Sequence, residues 1–372
     1  MKILFSSNIA WSIYSFRHGL LSQLQKDGHQ IYTLAKEDAY AKKLSALGFQ
    51  FSNININNNS KNPVKDLLLI YQYLKIYRKI KPDIILHNAI KPNIYGTIAA
   101  GILGIPVINN ISGLGTLFIK QSFSTHIAKG LYKFSQRFAT IVFFQNLHDK
   151  SLFLESKLVK DKKARLIPGS GVNTQVFHPK YNTNQKNTAF EFLMIARLIN
   201  DKGLQEYLSA AKVLKEKYKD KVVFSLLGPF YTANETAITQ DELKTWQDAG
   251  IINYLGETDF VAPEIAHADC IVLPSYREGL SKVLIEASAM GKPIVTTNVP
   301  GCKDVVEDGY NGFLCRAKDV KDLADKMEKM YLLDRQSLNK MGQNARQKAL
   351  DIFDEQKIIN IYKSAIQDAL KK

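Results

Sequence analysis

Two glutamates with seven residues between them occur in the stretch PSYREGLSKVLIEASAMG, which runs from Pro274 to Gly291. The apolar run CIVLP before it predicts a buried strand that ends at Pro274, and residues 281–290 have the composition of a helix. Glu278 is therefore expected in the turn between strand and helix, and Glu286 two turns inside the helix.

This placement suits a particular chemistry. A turn from the carboxyl end of a parallel strand into a helix offers free N–H groups and a positive dipole end, which together bind a diphosphate. Because carboxylates repel phosphate, the glutamates are expected to accept hydrogen bonds from hydroxyls: Glu278 from a sugar near its reacting carbon, Glu286 from a ribose. The pattern favours a nucleotide-sugar site, although a capped helix with two solvated glutamates gives the same spacing.

A second stretch, ARLINDKGL, could supply positive charge. Arg197 is predicted at a strand end, and Lys202 with Gly203 at the start of the next helix, where two cations suit a diphosphate. The sequence contains no Asp-x-Asp and no His, Cys and carboxylate cluster with metal-ligand spacing. We therefore expect Arg197, Lys202 and backbone dipoles to meet the leaving-group charge, with no metal and no cofactor.

The block REGLSKVLIEASAMGKPIVTTNVPGCKDVVEDGYNGFL resembles the signature of family 4 retaining glycosyltransferases, a GT-B group with an E-x7-E motif. VNTQVFHP, ARLINDKGL, LLGP and YLGETDF agree with that family in order, so the resemblance covers most of the chain. The W-S-x-Y-x-F-R pattern near the start is similar to enzymes that assemble bacterial surface polysaccharides or undecaprenyl-diphosphate-linked oligosaccharides, of the N-acetylgalactosaminyltransferase type.

The resemblance implies an α/β fold of the GT-B type, with two Rossmann-like domains facing a cleft. Residues 1–175 would bind the acceptor, residues 176–353 the nucleotide sugar, and residues 354–372 would form a helix that returns to the first domain. The implied reaction moves an N-acetylhexosamine or hexose from a UDP-sugar to a lipid-linked, undecaprenyl-diphosphate saccharide with retention of configuration. A sugar-nucleotide epimerase of the same fold is an alternative.

In that reaction Glu278 would orient the donor sugar or stabilise an oxocarbenium-like transition state, while Arg197 and Lys202 hold the diphosphate. Backbone groups near the base would come from the loops after two further strands. The donor-binding candidates are Arg197, Lys202, Gly228, Leu255, Thr258, Glu278, Gly279, Leu280, Ser281, Lys282 and Glu286.

The first half of the chain alternates short apolar runs with longer amphipathic ones. The runs are KILFSS, HQIYTLA, FQFSNIN, DIILHN, PVINNIS, TIVFFQN and ARLIPGS. Such alternation predicts a parallel sheet covered by helices, with ligands at the carboxyl ends of its strands. Polar residues after these strands are therefore the acceptor-binding candidates, with Arg17 facing a diphosphate: Asn8, Ser12, Arg17, His87, Lys91, Gly113 and Gly115.

The net charge of +15 is unevenly distributed along the chain. Residues 1–180 contain 24 Lys and Arg against 8 Asp and Glu, whereas residues 181–372 contain 26 against 27. The basic half indicates an anionic partner, which could be a membrane surface, a phosphorylated substrate or nucleic acid. A protein that binds nucleic acid through this half is a second alternative, but no nucleic-acid module is recognised, so we expect no nucleic-acid partner.

Two basic, aromatic runs in the first half have helical spacing, FIKQSFSTHIAKGLYKFSQRF and KDLLLIYQYLKIYRKIK. Each could lie in an anionic membrane interface or simply cover the sheet. No run of 18 apolar residues occurs, and no secretory signal is recognised. The expected location is cytoplasmic, peripheral on the inner face of the bacterial plasma membrane, where Cys270, Cys302 and Cys315 would stay reduced.

Overall fold

The computed structural model describes residues 1–57, 63–114, 123–181, 189–231, 234 and 236–371. The chain divides into two compact units, one formed by Met1–Ser170 with Glu355–Lys372 and the other by Gly171–Asp354. The sequence predicts domain boundaries between residues 175 and 176 and between residues 353 and 354. The second unit begins earlier because Val172 donates its N–H to the Phe353 carbonyl and forms a parallel bridge with Asp354.

The first unit is built on a parallel sheet with the strand order β3-β2-β1-β4-β5-β6-β7. Within the described residues its strands are β1 Lys2–Ile9, β2 Gln30–Lys36, β3 Gln50–Asn53, β4 Ile84–Asn88, β5 Val107–Ile111, β6 Ile141–Phe144 and β7 Ala164–Leu166. Each coincides with one of the seven apolar runs. The two central strands, β4 and β5, are apolar on both faces, as expected for strands covered by helices on each side.

Helices cover both faces of this sheet. Those found in the described part of the unit are α1 Ala10–Lys26, α2 Tyr40–Ala46, α3 Pro63–Ile80, α4 Thr97–Ile102, α5 Phe123–Ser135, α6 Leu147–Glu155 and α13 Glu355–Leu370. One apolar core joins α1, α2 and α13 to the sheet, and the other joins it to α3, α4, α5 and α6. The last helix therefore belongs to the first unit, where Tyr362 packs edge-on against Phe143.

The second unit repeats the arrangement with a parallel sheet of order β10-β9-β8-β11-β12-β13. Its strands, in the part that the structure describes, are β8 Phe190–Ile195, β9 Val222–Leu227, β10 Asn253–Tyr254, β11 Cys270–Leu273, β12 Ile294–Thr297 and β13 Gly312–Cys315. Its described helices are α7 Leu204–Tyr218, α8 Gln240–Asp248, α9 Ala262–His267, α10 Lys282–Ala289, α11 Val320–Tyr331 and α12 Arg335–Lys348. The predicted α/β class with two Rossmann-like units is confirmed.

The helix predicted over residues 281–290 is confirmed, but Glu286 lies less deep in it than expected. Ser281 is the N-cap of α10, so Glu286 is the fifth helical residue and lies little more than one turn inside the helix, not two. In the first unit α1 begins at Ala10, directly after β1. Arg17, which was expected in or just beyond the turn into this helix, lies in the middle of the helix.

Candidate active site

The second unit contains a close, largely buried ion pair between Lys202 and Glu278. The Lys202 ammonium donates to Glu278 Oε1 over 2.5 Å, and the two side chains are 18% and 14% exposed. They come from different strand ends, since Lys202 follows β8 and Glu278 follows β11, and these strands are neighbours in the sheet. The fold thus joins the two motifs that the sequence singled out.

Backbone hydrogen bonds hold the two loops together. Lys202 closes the short 3-10 turn Asn200–Lys202, and the N–H of Tyr276 donates to the Asp201 carbonyl over 3.0 Å. Gly203 follows with φ 75°, and a Cβ there would collide with the Pro274 carbonyl oxygen. A glycine is required at this position for the turn and for the close approach.

A third loop, after β12, supports Glu278 from the other side. The N–H of Glu278 donates to the Pro300 carbonyl over 3.1 Å, and the N–H of Ser281 donates to the Gly301 carbonyl over 3.2 Å. Gly301 has φ 81°, and a Cβ there would come within 2.5 Å of the Glu278 carbonyl oxygen. Sequence reasoning missed Pro300 and Gly301 as positioning residues, although the NVPG segment lay within the resembled block.

Glu286 is buried inside α10, with 5% of its surface exposed. Burial raises the pKa of Glu286 to about 7, against an opposing effect of Lys282, whose ammonium lies 3.8 Å from Oε1. Its carboxyl therefore changes charge near neutral pH. Of the remaining loop candidates, Gly279 and Ser281 are buried, whereas Leu280 and Lys282 are partly exposed.

Arg197 lies at the end of β8 as predicted and is exposed. Its guanidinium lies 4.7 Å from the centroid of the Tyr231 ring, within cation–π range. The guanidinium thus remains accessible to an anion. Tyr231 was not among the predicted site residues, and its position in a loop after β9 gave no sequence signal.

The backbone N–H groups of Gly228 and Leu255, two residues predicted to contact the donor, make hydrogen bonds within the second unit. The Gly228 N–H donates to the Gly256 carbonyl, and the Gly228 carbonyl accepts from the Tyr254 hydroxyl at 2.9 Å. The Leu255 N–H donates to the carbonyl of Leu226 in β9. These backbone groups are therefore used inside the unit, while the Leu255 side chain and Thr258 are exposed.

In the first unit, His87 has a packing role and not the predicted acceptor contact. It is 1% exposed, its Nε2 lies 2.8 Å from the Tyr77 hydroxyl, and its Nδ1 lies 3.0 Å from Asn109 Oδ1. Burial lowers the pKa of His87 to about 3, so the imidazole is neutral at physiological pH. A buried histidine with both ring nitrogens hydrogen-bonded is unavailable to a ligand.

Lys91, predicted as an acceptor-binding residue, is engaged in an ion pair within the first unit. Its ammonium donates to Asp66 Oδ1 over 2.8 Å, and the Tyr95 hydroxyl donates to Asp66 Oδ2 over 2.7 Å. The charge of Lys91 is therefore already balanced by a carboxylate. The sequence could not show this, because Asp66 lies 25 residues earlier on α3.

Among the other described candidates of the first unit, Asn8 and Ser12 lie at the carboxyl end of β1 and Gly113 lies beyond the end of β5. Ser12 bonds to Ser7 over 2.6 Å, and Asn8 Oδ1 is buried with no hydrogen-bond partner in the described structure. Gly113 has φ 123°, directly after β5, and Gly115 lies outside the described residues. Arg17 is buried under α13 with its guanidinium 5.4 Å from the Tyr362 ring centroid.

Two family models match the chain. Residues 178–348 match "Glycosyl transferases group 1", and residues 2–146 match "Glycosyl transferase 4-like". Across the described residues, no group of three or more His, Cys, Asp or Glu side chains is arranged to hold a metal ion. The two units and the paired motifs thus define a glycosyltransferase.

Whole-chain relatives agree with these models. The chain is 30% identical to the N,N'-diacetylbacillosaminyl-diphospho-undecaprenol alpha-1,3-N-acetylgalactosaminyltransferase of Campylobacter jejuni, over 99% of this chain and 100% of the relative. It therefore belongs to the group 1 glycosyl transferase family. It is also 25% identical to the Escherichia coli UDP-Gal:alpha-D-GlcNAc-diphosphoundecaprenol alpha-1,3-galactosyltransferase, over 78% of this chain and 76% of that one.

Solved structures agree on the fold. Anabaena HepE in complex with UDP superposes with a TM-score of 0.80 at 18% identity, covering 99% of this chain and 100% of that chain. A glycosyltransferase from Rickettsia africae gives the same TM-score of 0.80, over 100% and 99% of the two chains. The GT-B architecture implied by the sequence resemblance is thereby confirmed.

Proposed function

We propose that this glycosyltransferase moves a sugar from a UDP-sugar to a lipid-linked, undecaprenyl-diphosphate saccharide, with retention of configuration and without a metal ion. The observation that carries the proposal is the Lys202–Glu278 pair, which stands where a strand passes into a helix. The bond that breaks in this reaction joins the sugar to the diphosphate. A cation and a carboxylate in contact at this point can bind the two sides of that bond, the cation the diphosphate and the carboxylate the sugar.

The Lys202 ammonium has N–H donors beyond the one that binds Glu278. An ammonium carries three N–H donors, and the bond to Glu278 Oε1 occupies one of them. The remaining donors can meet the diphosphate oxygens as negative charge develops on the leaving group. Arg197, exposed at the end of β8, supplies the second cation. These two charges support catalysis that does not depend on Mg²⁺ or Mn²⁺.

Glu278 is the residue beside the reacting sugar in this proposal. The hydrogen bond from its N–H to the Pro300 carbonyl holds its backbone, and the Lys202 ammonium holds Oε1, so the second carboxylate oxygen can accept from a sugar hydroxyl. Such a contact strengthens the transition state most if it tightens as charge develops at the anomeric carbon. Glu286, one turn inside α10, then accepts from the ribose hydroxyls.

The acceptor assignment draws on the relatives. The names of the Campylobacter jejuni and Escherichia coli enzymes both specify a diphospho-undecaprenol saccharide as acceptor, and the latter also specifies a UDP-linked donor. A related fold, that of Anabaena HepE, was solved with UDP. The basic first half of this chain is consistent with an anionic, diphosphate-containing acceptor.

We further propose peripheral association with the inner face of the bacterial plasma membrane, where such an acceptor is reached. On α5 and just beyond it, Ile127 and Phe134 are 50% and 47% exposed, close to the exposed cations Lys133 and Arg137. The predicted docking run began at Phe118, and residues 118–122 lie outside the described residues. None of the described helices is long and apolar enough to cross a membrane.

Helix α3 offers a second surface of the same kind. Its exposed apolar residues recur at helical spacing, and they are 55–66% exposed: Val64, Leu67, Leu68 and Tyr71. Lys65, Lys75 and Lys79 are also exposed on this helix. Exposed apolar area next to basic residues suits the interface of an anionic bilayer, where each well-placed Lys contributes about 1 kcal/mol.

A nucleotide-sugar screen tests the proposed function. Hydrolysis of UDP-, GDP-, ADP- and dTDP-sugars is measured with and without short-chain polyprenyl-diphosphate saccharides. We expect a UDP-linked N-acetylhexosamine or hexose to be consumed fastest, and faster again with a lipid-linked acceptor. Consumption of a non-uridine donor, or no response to any diphosphate-linked acceptor, would contradict the assignment.

A further inference from the structure

Arg17 is a buried cation, and no ion pair of its guanidinium is found among the described residues. It is 2% exposed, and its Nε and Nη1 are buried with no hydrogen-bond partner in the described part of the chain. Burying a guanidinium with two unpaired nitrogens is costly, because no acceptor compensates the hydration that these donors lose. A residue that costs stability in the free protein is a candidate for a ligand site.

Two asparagine side chains lie on the same face of the sheet as Arg17. Side chains alternate along a strand, so Asn88 shares a face with Leu86, and Asn110 shares a face with Ile108. Leu86 and Ile108 belong to the apolar core formed with α1 and α13. Asn88 and Asn110 are also direct partners in the register of β4 and β5. The α1 face of both central strands therefore becomes polar at its carboxyl end.

Tyr362 connects these groups to Arg17. The Arg17 guanidinium lies 5.4 Å from the Tyr362 ring centroid, and Asn110 Nδ2 donates to the Tyr362 hydroxyl over 3.2 Å. Asn88 Oδ1 and Asn110 Oδ1 are themselves buried without a hydrogen-bond donor in the described structure. The cluster thus contains unpaired cationic donors and unpaired amide acceptors at the same time.

The opposite face of the same strand ends is different. On that face lie His87 and Asn109, the residues that precede Asn88 and Asn110. His87 Nδ1 is hydrogen-bonded to Asn109 Oδ1 over 3.0 Å, and Asn109 Nδ2 donates to Gln136 Oε1 over 2.7 Å. The His87, Asn109 and Gln136 side chains are thus paired with one another, although Asn93 Oδ1 beside them is buried without a partner in the described structure. Among the described residues of the first unit, the buried unpaired cationic donors are those of Arg17 on the α1 face, which makes this face the better candidate for a ligand.

We propose that Arg17, Asn88 and Asn110 form a subsite for the phosphoryl group and adjoining sugar of a glycosyl diphosphate. A guanidinium donates charge-assisted hydrogen bonds to phosphate oxygens, and the unpaired Nε and Nη1 of Arg17, which lie on different edges of the group, are two such donors. The amide oxygens accept from sugar hydroxyls, which are the donors that a glycosyl diphosphate has and an inorganic phosphate lacks. The subsite rests on the proposed function, because it assigns the acceptor's diphosphate to the first unit and the donor's diphosphate to the second.

Binding measurements with the donor site blocked test this subsite. The full-length protein is saturated with UDP, and the affinities of geranyl diphosphate and of geranyl-diphosphate-linked N-acetylglucosamine are measured by calorimetry. We expect Arg17→Met to weaken both ligands at least tenfold and to leave UDP affinity within twofold, while the exposed control Arg78→Met changes neither. Asn110→Ala should remove the affinity that the sugar adds and leave geranyl diphosphate binding within twofold.

Thermal stability separates a ligand site from a structural role. Arg17→Met replaces an unpaired buried charge by an apolar side chain of similar length, so its Tm without ligand should equal or exceed that of the wild type. A Tm lowered by 5 °C or more, failure of Arg17→Met to fold, unchanged affinity for geranyl diphosphate, or an equal loss of UDP affinity would each overturn the subsite. If Arg17 governs diphosphate binding but no sugar is transferred, the proposed function fails and the subsite stands.

Discussion

Lys202 and Glu278 lie 76 residues apart in sequence, and their side chains meet over 2.5 Å at the carboxyl ends of two neighbouring strands. Each motif was recognisable in the sequence, but their contact was not, because it depends on β8 and β11 being adjacent in the sheet. The pair makes the proposed donor site a single electrostatic unit, so a change in one residue alters the environment of the other.

Replacing Lys202 should therefore have two effects on the proposed donor site. Lys202→Met leaves the Glu278 carboxylate, which is 14% exposed, without its counter-ion and removes a donor from the diphosphate. We expect kcat to fall by about 100-fold, the usual effect of losing one preorganised donor. Steady-state kinetics with the UDP-sugar measures this.

A matched control is available in the same unit. Lys217 donates to Glu328 over 2.6 Å, but this pair lies on the surface, with Lys217 59% exposed. Lys217→Met should leave kcat within twofold of the wild type. Equal losses from the two lysine variants would show that Lys202 acts through stability and not through the reaction.

The two glutamates should separate turnover from binding. Glu286→Ala is expected to raise the donor KM, because a ribose contact is shared by the ground and transition states. Glu278→Ala should mainly lower kcat, since a contact beside the reacting sugar tightens in the transition state. The measurement is a full set of kcat and KM values for both variants, and similar changes in both parameters would contradict these roles.

Donor affinity should depend on pH through Glu286. Because burial raises the pKa of Glu286 to about 7, its carboxylate form, which accepts from the ribose hydroxyls, becomes populated as pH rises. If the ionised form binds, the Kd of UDP-N-acetylglucosamine falls about tenfold between pH 6 and 8. The diphosphate of this ligand does not titrate in that range. Glu286→Gln should show no such dependence, and an equal pH response in the variant would exclude Glu286 as its source.

The same carboxyl should affect stability with the opposite trend. Its folded-state pKa is raised above the ordinary value of 4.5, so the native protein keeps a proton that the unfolded chain releases between about pH 4.5 and 7. Its contribution to the free energy of unfolding is greatest below pH 4.5 and is lost as pH rises through 7. The Tm difference between wild type and Glu286→Gln, followed over this range, should change accordingly, whereas a constant difference would contradict the raised pKa.

Activity should survive metal removal. Lys202 and Arg197 are the charges proposed to meet the diphosphate, so treatment with EDTA is expected to leave the transfer rate unchanged. The rate is measured after dialysis against EDTA and after adding back Mg²⁺ or Mn²⁺. A loss that Mn²⁺ or Mg²⁺ restores would overturn this part of the proposal.

Vesicle flotation should detect the membrane association. The wild-type protein is expected to float with anionic vesicles at low salt and to be released at high salt, because surface charges are screened. Replacing Lys129, Lys133 and Arg137 by glutamate should abolish flotation and leave donor hydrolysis intact. The same charge change at the exposed second-unit residues Lys221, Lys321 and Lys340 is the control. Wild-type protein that stays in solution with anionic vesicles would favour a soluble glycan acceptor.

Much of the fold could be predicted because its determinants are local. Each first-unit strand is a short apolar run, and the E-x7-E block specifies a strand, a turn and a helix by itself. The first-unit site was less predictable, since the availability of a polar side chain depends on what packs over it. His87 is enclosed by Tyr77 from α3 and by Asn109 from β5, and Lys91 is paired with Asp66 of α3. Such partners lie far away in sequence, so strand-end position alone could not distinguish buried networks from binding groups.

The most direct test of the central claim is the structure of the transferred product. The wild-type enzyme is incubated with an α-linked UDP-N-acetylhexosamine and a short-chain polyprenyl-diphosphate disaccharide, and the product is isolated for mass spectrometry and proton NMR. We predict a mass gain of one sugar on the diphosphate-linked saccharide, with the small anomeric coupling of an α-linkage. A β-linked product would contradict retention, and release of free sugar with no gain in acceptor mass would contradict the proposed transfer reaction.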